Sequence, residues 1–280
     1  MIPASFDYVV ADTPDQAIEL LSKREDAKLL AGGHSLLPAM KLRLARPGLL
    51  VDVGRIGDLS YVQDEGETIA IGALTRHTDV AASPVLQEHC AIVSHTAGQI
   101  GDPQVRHRGT IGGSLAHGAP ASDLSAVVLA LGGDLVARGP SGDRAIPANE
   151  FFTGVFQTAL APDEMLVEIR VRKLGPGWGW SYTKMSRRAQ DWATVAVAAL
   201  VERTNGSIDR ASITLTNMGG TPLHALASQT AIGEGASIAD AAALAAEGSE
   251  PFSDHAASAD FRRHLARVLT RRALEEAAAH

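Results

Sequence analysis

Apolar positions in the first two thirds of the chain switch repeatedly between a helical and an extended period. Residues 13–16, Thr-Pro-Asp-Gln, form a capping box with proline at the first helical position, and the apolar spacing predicts an amphipathic helix to about residue 23. Residues 27–31 then form a short apolar run typical of a buried strand, which leads into a glycine-rich segment. The same patterns predict a helix over residues 36–44, strands over 49–53 and 68–71, a helix over 123–131, and strands over 134–137 and 165–171.

The segment Leu-Gly-Pro-Gly at residues 174–177 has the composition of a linker, and we place a domain boundary there. Beyond it, alternating faces predict three strands and then three alanine-rich helices. The strands cover residues 180–185, 194–201 and 212–216, and the helices cover residues 223–231, 238–247 and 259–278. Strands grouped before helices favour an α+β C-terminal domain.

Composition places the chain among ordinary globular proteins. It has 280 residues, of which 45% are hydrophobic and 20% charged, and this length can bury a sizeable core. A formal net charge of −7 argues against electrostatic binding to nucleic acid or anionic lipid. The last predicted helix carries several arginines interleaved with Leu and Ala, a pattern typical of the solvated face of an amphipathic helix. They are Arg262, Arg263, Arg267, Arg271 and Arg272.

The single cysteine, Cys90, excludes an internal disulfide and an all-cysteine zinc or iron–sulfur site. The N-terminal residues lack the basic start and apolar run of a secretory signal. No apolar stretch approaches the roughly 20 residues that cross a bilayer. We therefore expect a soluble, cytoplasmic protein without a transmembrane segment.

Two glycine-rich segments are the candidate binding features. The first, Ala-Gly-Gly-His-Ser at residues 31–35, stands where a predicted strand ends and a helix begins. Glycine at such a position lets the backbone approach a ligand closely. The amides of residues 32–36, with the positive end of the following helix, predict a phosphate-binding cradle to which Ser35 adds a hydroxyl donor. A simple tight turn is the alternative, which this segment taken alone favours.

The second segment, Gly-Thr-Ile-Gly-Gly-Ser at residues 109–114, repeats that chemistry about 80 residues later. Hydroxyls at Thr110 and Ser114 flank backbone that we expect to be exposed. Two cradles in one chain fit a ligand with two phosphates better than a mononucleotide. Asp123 begins the next predicted helix, and its carboxylate either caps that helix or accepts hydrogen bonds from ribose hydroxyls.

The common nucleotide-binding and catalytic signatures are absent from the sequence. It contains neither Gly-x-Gly-x-x-Gly nor a P-loop, which argues against those two modules. It also contains neither His-Glu-x-x-His nor a Gly-x-Ser-x-Gly elbow. The histidines near the two segments have no metal-ligand spacing: His34, His77, His95, His107 and His117. We therefore predict no metal site and no catalytic residue in this chain.

The two segments, in this order and at this separation, resemble the FAD-binding subunit of the xanthine dehydrogenase and aerobic carbon monoxide dehydrogenase family of molybdenum hydroxylases. The resemblance extends over nearly the whole chain and is greatest to the carbon monoxide dehydrogenase medium subunit. Its motifs are residues 2–8, 31–38, 41–43, 50–52, 100–106, 109–114, 120–124, 164–166, 184–188 with Asp191, and 264–274.

The resemblance implies a set of FAD contacts. Residues 30–36 and 110–114 would hold the pyrophosphate, and Asp123 would lie near the sugar. Ile100 would pack against the isoalloxazine ring, Leu166 would line the adenine side, and Lys184 would contact the cofactor. The implied cofactor-binding residues are Leu30, Ala31, Gly32, Gly33, His34, Ser35, Leu36, Ile100, Thr110, Ile111, Gly112, Gly113, Ser114, Asp123, Leu166 and Lys184. Trp192 stands where relatives place an aromatic ring near the flavin, and a core tryptophan is the alternative.

The resemblance also implies an α+β fold. Its FAD-binding domain, of the vanillyl-alcohol-oxidase type, would cover residues 1–174 in two subdomains, roughly 1–55 and 56–174. A smaller α+β domain of the carbon monoxide dehydrogenase flavoprotein type would cover residues 175–280.

The implied partners are a small iron–sulfur subunit and a large molybdenum-cofactor subunit, in a dimer of heterotrimers. The chain would pass electrons from the partner's clusters through FAD to an external acceptor. Two alternatives stay open, a self-contained FAD-dependent oxidoreductase on the same fold and a non-catalytic nucleotide-binding scaffold subunit.

Overall fold

Helices and strands alternate along the chain, and the computed structural model describes them for residues 1–204 and 207–279. The strands are β1 (Asp7–Val10), β2 (Ala27–Leu30), β3 (Leu49–Asp52), β4 (Val62–Asp64), β5 (Thr68–Gly72), β6 (Asp134–Gly139), β7 (Gly142–Pro147), β8 (Phe152–Gly154), β9 (Gln157–Thr158), β10 (Met165–Arg172), β11 (Trp178–Met185), β12 (Val195–Thr204), β13 (Ser207–Thr216) and β14 (Leu223–His224). The α-helices are α1 (Pro14–Lys23), α2 (Leu36–Lys41), α3 (His77–Ala82), α4 (Pro84–His89), α5 (Ala91–Gly98), α6 (Pro103–Arg108), α7 (Ile111–His117), α8 (Asp123–Ala130), α9 (Ala148–Phe151), α10 (Leu226–Gly233), α11 (Ile238–Ala243) and α12 (Ala259–Ala277).

The N-terminal sheet is parallel and has the order β1-β3-β2. Helix α1 connects β1 to β2, and helix α2 lies in the crossover between the parallel neighbours β2 and β3. Its predicted capping box is confirmed, because the Thr13 hydroxyl accepts a hydrogen bond from the Gln16 amide and the Gln16 side chain accepts one from the Asp12 amide. Strand β2 ends directly at the first glycine-rich segment, so the sheet fixes where that segment begins.

The second sheet is antiparallel, with the order β4-β5-β10-β6-β7. Strand β10 lies at its centre, as its run of alternating apolar residues requires, and it carries a bulge between Leu166 and Glu168. Buried side chains of this sheet pack with those of α4, α5, α7 and α8 into the largest hydrophobic core. Helix α7, which lines the cleft described below, packs against β10 of this sheet.

The third sheet, β11-β12-β13-β14, is buried on both faces. Alternate residues of β12 explain this: Val195, Val197, Ala199 and Val201 face helices α10–α12, whereas Ala196, Ala198 and Leu200 belong to the core that contains α8. Strand periodicity therefore places the C-terminal sheet against helices of both halves of the chain.

Several predicted bounds are wrong. Helix α2 ends at Lys41 instead of residue 44, because Arg43 adopts a left-handed conformation with φ 60°. Residues 223 and 224 pair with β13 as strand β14, so the helix predicted from residue 223 begins at Leu226. Helix α11 ends at Ala243 instead of residue 247.

Arg262 corrects the expectation that the arginines of the last helix form a solvated face. Its side chain is 2% exposed, and it donates hydrogen bonds to the carbonyl oxygens of Thr194 and Phe252 and to the Asp254 carboxylate. Arg263 and Arg271, in contrast, form exposed ion pairs within α12. Arg262 therefore connects the start of α12 to the residue before β12 and does not lie on a solvated helix face.

Across residues 1–204 and 207–279, no helix is both long and apolar enough to span a membrane.

Candidate functional site

The two glycine-rich segments lie side by side in the wall of one cleft of about 780 Å³. Gly32 fits only because it lacks a side chain, since a Cβ atom there would lie 2.3 Å from the Arg108 carbonyl oxygen. Gly33 adopts φ +77°, which glycine reaches without steric cost. The glycines of the first segment thus permit the turn and bring it against the second segment.

The first segment presents unpaired backbone donors to this cleft. Within the described part of the chain, the N–H groups of Gly32, Gly33, His34, Ser35 and Leu36 have no protein acceptor. These five amides precede and begin helix α2, and all five residues line the cleft. Consecutive free amides at a helix start form an anion site. The predicted phosphate cradle requires such free amides, and phosphate binding by this segment stays a prediction.

The second segment is built differently, and the expectation that its backbone is exposed holds at Gly113 but is wrong at Ile111 and Gly112. The N–H groups of Ile111 and Gly112 donate to the carbonyl oxygens of Thr75 and Ala73, at 3.0 and 2.8 Å. The Gly113 N–H donates to the Thr110 hydroxyl at 3.2 Å, so Thr110 caps helix α7. These bonds fix the segment as a rigid wall beside the cradle.

Helix α7 exposes a small-residue face to the cleft. Gly113 is exposed there, so a ligand can approach its backbone closely. Ser114 also lines the cleft, and its hydroxyl lies 3.2 Å from the Ser122 hydroxyl. Ile111 is the one predicted residue that does not line the cleft, because its side chain is fully buried in the hydrophobic core.

Asp123 lies at the first position of α8 in a buried hydrogen-bonded group. Its Oδ1 accepts a hydrogen bond from the Tyr182 hydroxyl at 2.6 Å, and its Oδ2 accepts one from Lys184 Nζ at 2.9 Å. Burial raises the pKa of Asp123, an effect that Lys184 and Tyr182 oppose. Burial and the neighbouring carboxylate also raise the pKa of Tyr182 well above 10. Both carboxylate oxygens are thus engaged by the C-terminal sheet, and the Ser122 side chain makes no capping bond to the helix.

Other predicted residues meet in the same cleft. Leu30, Ile100, Leu166 and Lys184 all line it. Trp192 lines it as well and is 55% exposed, so the interpretation as a core tryptophan is wrong. Residues far apart in the sequence therefore converge on one cavity.

Two cleft residues, His77 and Phe156, and one buried neighbour of the cleft residue Asp123, Tyr182, were not assigned to the site from the sequence. Tyr182 is recognisable only once β11 is packed on α8. His77 is buried, which lowers its pKa to about 4, and its Nδ1 has no hydrogen-bond partner among the described residues. Phe156 is 59% exposed and lies 5.0 Å from the His117 ring, centroid to centroid. Burial, with a contribution from Lys28, lowers the pKa of His117. Of these features, the sequence indicated only that His117 lies next to the second glycine-rich segment.

Two family models match the chain in succession. The first, described as the FAD binding domain in molybdopterin dehydrogenase, matches residues 4–173, and the second, the CO dehydrogenase flavoprotein C-terminal domain, matches residues 180–277. The chain belongs to this family of FAD-binding subunits of molybdopterin dehydrogenases. It is an oxidoreductase subunit of the molybdenum hydroxylase class, and FAD is its cofactor. The family resemblance and the FAD prediction are confirmed.

Two relatives and one solved structure are similar over nearly the whole length of both chains. The carbon monoxide dehydrogenase medium chain of Hydrogenophaga pseudoflava is 40% identical over 99% of this chain and 98% of its own. The 6-hydroxypseudooxynicotine dehydrogenase complex subunit alpha of Paenarthrobacter nicotinovorans is 38% identical, covering 99% of this chain and 96% of its own. A solved structure of carbon monoxide dehydrogenase from Hydrogenophaga pseudoflava matches with a TM-score of 0.96 and 41% identity, covering 100% of this chain and 99% of that one.

Proposed function

We propose that the chain relays electrons in a molybdenum hydroxylase complex of the carbon monoxide dehydrogenase type. Electrons would arrive from iron–sulfur clusters on a partner subunit and leave through FAD to an external acceptor. The observation that carries this proposal is the row of five unpaired amides, residues 32–36, facing a cleft of about 780 Å³. FAD, when bound, supplies an electron acceptor that exchanges electrons singly or in pairs.

The residues present fit FAD. The amides of residues 32–36 would donate to its phosphates, and the hydroxyls of Thr110 and Ser114 lie in the adjoining wall. Of the predicted contacts, all except Ile111 line the cleft and stay in the proposed site. Asp123 would lie near the sugar and would also hold Lys184 at the cleft through the hydrogen bond from Lys184 Nζ to its Oδ2.

The proposed domain division places the FAD-binding domain at residues 1–174, with subdomains at roughly 1–55 and 56–174, and the second domain at residues 175–280. The separate sheets support it, since the parallel sheet uses β1–β3 and the large antiparallel sheet uses β4–β7 and β10. The family models meet between residues 173 and 180, which also supports it. An FAD-binding domain of the vanillyl-alcohol-oxidase type belongs to this proposal.

The proposed partners are a small iron–sulfur subunit and a large molybdenum-cofactor subunit, in a dimer of heterotrimers. The one cysteine supports an external source of electrons, because a thiolate-ligated cluster needs several cysteines and Cys90 is fully buried. Within the described residues, no group of three His, Cys, Asp or Glu side chains could hold a metal ion. A cytoplasmic location stays a prediction, which cell fractionation would test.

Reconstitution tests the proposal. The full chain, alone and co-expressed with candidate large and small subunits from the same genome, would be loaded with FAD and its visible absorbance followed under carbon monoxide. We expect the flavin to be bleached only in the complete complex. Oxidation of a donor by the isolated chain would favour the self-contained oxidoreductase instead. Protein that stays colourless both alone and in the complex would favour the scaffold.

A further inference from the structure

A second cavity, of about 530 Å³, lies between the two halves of the chain and shares no lining residue with the cofactor cleft. The N-terminal half contributes the end of α8, the start of α9 and the end of β10, and the C-terminal half contributes β11–β14. A cavity of this volume is large enough for a small organic molecule. The contacts proposed for FAD do not account for it.

Strand register places an aromatic ring and a guanidinium group in one row across the third sheet. Trp178 pairs with Glu202, and Glu202 pairs with Arg210, so the three side chains lie on the same face. The Arg210 Cζ atom lies 5.7 Å from the centre of the Trp178 ring. The next row on this face contains Leu200, which packs in the core with α8. The face that carries Trp178 and Arg210 is therefore the face covered by α8.

Helix α8 ends just before this row. The hydroxyls of Thr214 and Ser212 donate to the carbonyl oxygens of Ala126 and Ala130, so β13 follows α8 to its last residue and Arg210 lies beyond it. The negative end of a helix ordinarily opposes the binding of an anion. Here the last four carbonyl oxygens of α8 all accept hydrogen bonds within the protein, which weakens that opposition.

Cations line the cavity, and its lining residues include no Asp or Glu. Arg210 pairs with Glu202 at 2.6 Å and Lys173 pairs with Asp64 at 2.6 Å, so these two charges are compensated from outside the lining. Arg172, at the end of β10, forms no ion pair with any described residue. A guanidinium group binds a carboxylate through two parallel hydrogen bonds. Arg172 therefore offers the cavity a cation that no protein carboxylate occupies in the described part of the chain.

Apolar side chains form much of the remaining wall. They belong to Leu129, Leu131, Leu174, Trp178 and Leu200. An inorganic ion would leave this wall in contact with water, whereas an anion attached to an apolar body would cover it. The cavity therefore fits an amphipathic anion better than a free ion.

We propose that this cavity binds a small carboxylic acid with an apolar body, such as an aromatic carboxylate. The carboxylate would bond to Arg172, and the apolar body would cover the leucines and Trp178. Because both halves of the chain line the cavity, the bound acid would contact both and stabilise the folded protein. The proposal does not depend on where FAD binds.

Three ligands of similar shape and different charge test the proposal. The full chain, loaded with FAD, would be titrated calorimetrically with benzoate, benzamide and benzylamine at physiological salt, which screens nonspecific attraction. We expect benzoate to bind at least about tenfold more tightly than benzamide, and benzylamine not to bind. Benzoate should also raise the melting temperature. Equal affinities for benzoate and benzamide, or no binding of benzoate, would overturn the proposal.

Variants of the unpaired arginine locate the site. Arg172→Gln should reduce the affinity for benzoate to that for benzamide, whereas Arg172→Lys should retain part of it, because lysine keeps the charge without the paired donors. Since Arg172 is exposed and unpaired, neither change should alter the melting temperature of the free protein. Full retention of benzoate binding in Arg172→Gln would overturn the proposal.

Arg170→Gln is the matched control. Arg170 is also exposed and lies on the same strand as Arg172, but it does not line the cavity. The substitution should leave the affinity for benzoate unchanged. Equal loss of benzoate binding in Arg170→Gln and Arg172→Gln would indicate a general electrostatic attraction and overturn the proposal.

Discussion

Lys184 Nζ lies 2.9 Å from Asp123 Oδ2, and both side chains are more than nine-tenths buried. This ion pair joins strand β11 of the C-terminal sheet to the first residue of α8, beside the cofactor cleft. Tyr182 Oη completes the arrangement at 2.6 Å from the other carboxylate oxygen. Because removal of one partner leaves a buried charge without compensation, the pair is a sensitive point for stability.

Lys184→Met should lower the free energy of unfolding by about 3 kcal/mol near neutral pH. Burial already raises the pKa of Asp123 above its ordinary 3.8, and loss of Lys184 should raise it further. The folded protein then retains a proton that the unfolded chain releases, so stability falls as pH rises through that window. Urea unfolding at about pH 4 and about pH 8 would measure the difference, which should be larger at the higher pH.

The double variant Lys184→Met, Asp123→Asn provides the control for this pH dependence. Without an ionisable group at residue 123, the additional loss at higher pH should disappear. If the double and single variants changed with pH to the same extent, Asp123 would not be the responsible group.

Gly113→Asp should abolish retention of FAD. Gly113 is exposed to the cleft, and an aspartate there would place a side chain and a negative charge where the phosphates are proposed to bind. Flavin content after gel filtration, together with circular dichroism to confirm folding, is the measurement. Gly233→Asp is the matched control, because a Cβ atom at Gly233 meets nothing within 4 Å. Unchanged flavin in folded Gly113→Asp protein would remove the second segment from the site.

His77→Gln should make the protein less sensitive to acid. Burial lowers the pKa of His77 from 6.5 to about 4, so the unfolded chain binds a proton in this window that the folded protein does not. Stability therefore falls as pH drops through it, by about 3 kcal/mol in total. Unfolding free energies measured between neutral pH and about pH 4 should decline less in the variant. His255→Gln, at an exposed residue, should keep the full decline.

Arg262→Met should destabilise the protein by about 3 kcal/mol, because it leaves the carbonyl oxygen of Phe252 without its donor and that of Thr194 with only the 3.3 Å bond from the Asn217 amide. Arg263→Met should cost less than about 0.5 kcal/mol, since its ion pair with Asp260 is exposed. Thermal unfolding of both variants is sufficient to test this. Similar melting temperatures would mean that the buried arginine contributes no more than the exposed one.

The sequence predicted those helices and strands whose own residues carry a clear apolar pattern or a cap. Strand β12 is apolar at nearly every position, and α1 carries its own cap in Thr13 and Gln16. Helices of at most eight residues have few turns in which to show a period, so some of them, such as α2 and α8, were predicted and α3–α7 were not. Two of them had a usable signal, since Ser83 and Asp102 each cap a helix and precede a proline at its first position.

The site was predictable only where one segment carries the chemistry. The free amides of residues 32–36 follow from a glycine-rich turn at a strand end. The hydrogen bonds of the Ile111 and Gly112 amides could not be predicted in this way. Their acceptors, the carbonyl oxygens of Thr75 and Ala73, lie just after β5 and are distant in the sequence. Contacts such as Tyr182 with Asp123 join residues 59 apart in sequence, and the packing of β11 on α8 decides them.

Helix α8 is bonded to a sheet that follows it in the sequence. The hydroxyls of Thr214 and Ser212 on β13 donate to the carbonyl oxygens of Ala126 and Ala130, each at 2.8 Å. Recombination between relatives at residue 174 would pair α8 from one parent with β13 from another and break this match. Crossovers that keep Ser212 and Thr214 with their own α8 should give folded chimeras. The segment that has to come from one parent therefore includes parts of both halves of the chain.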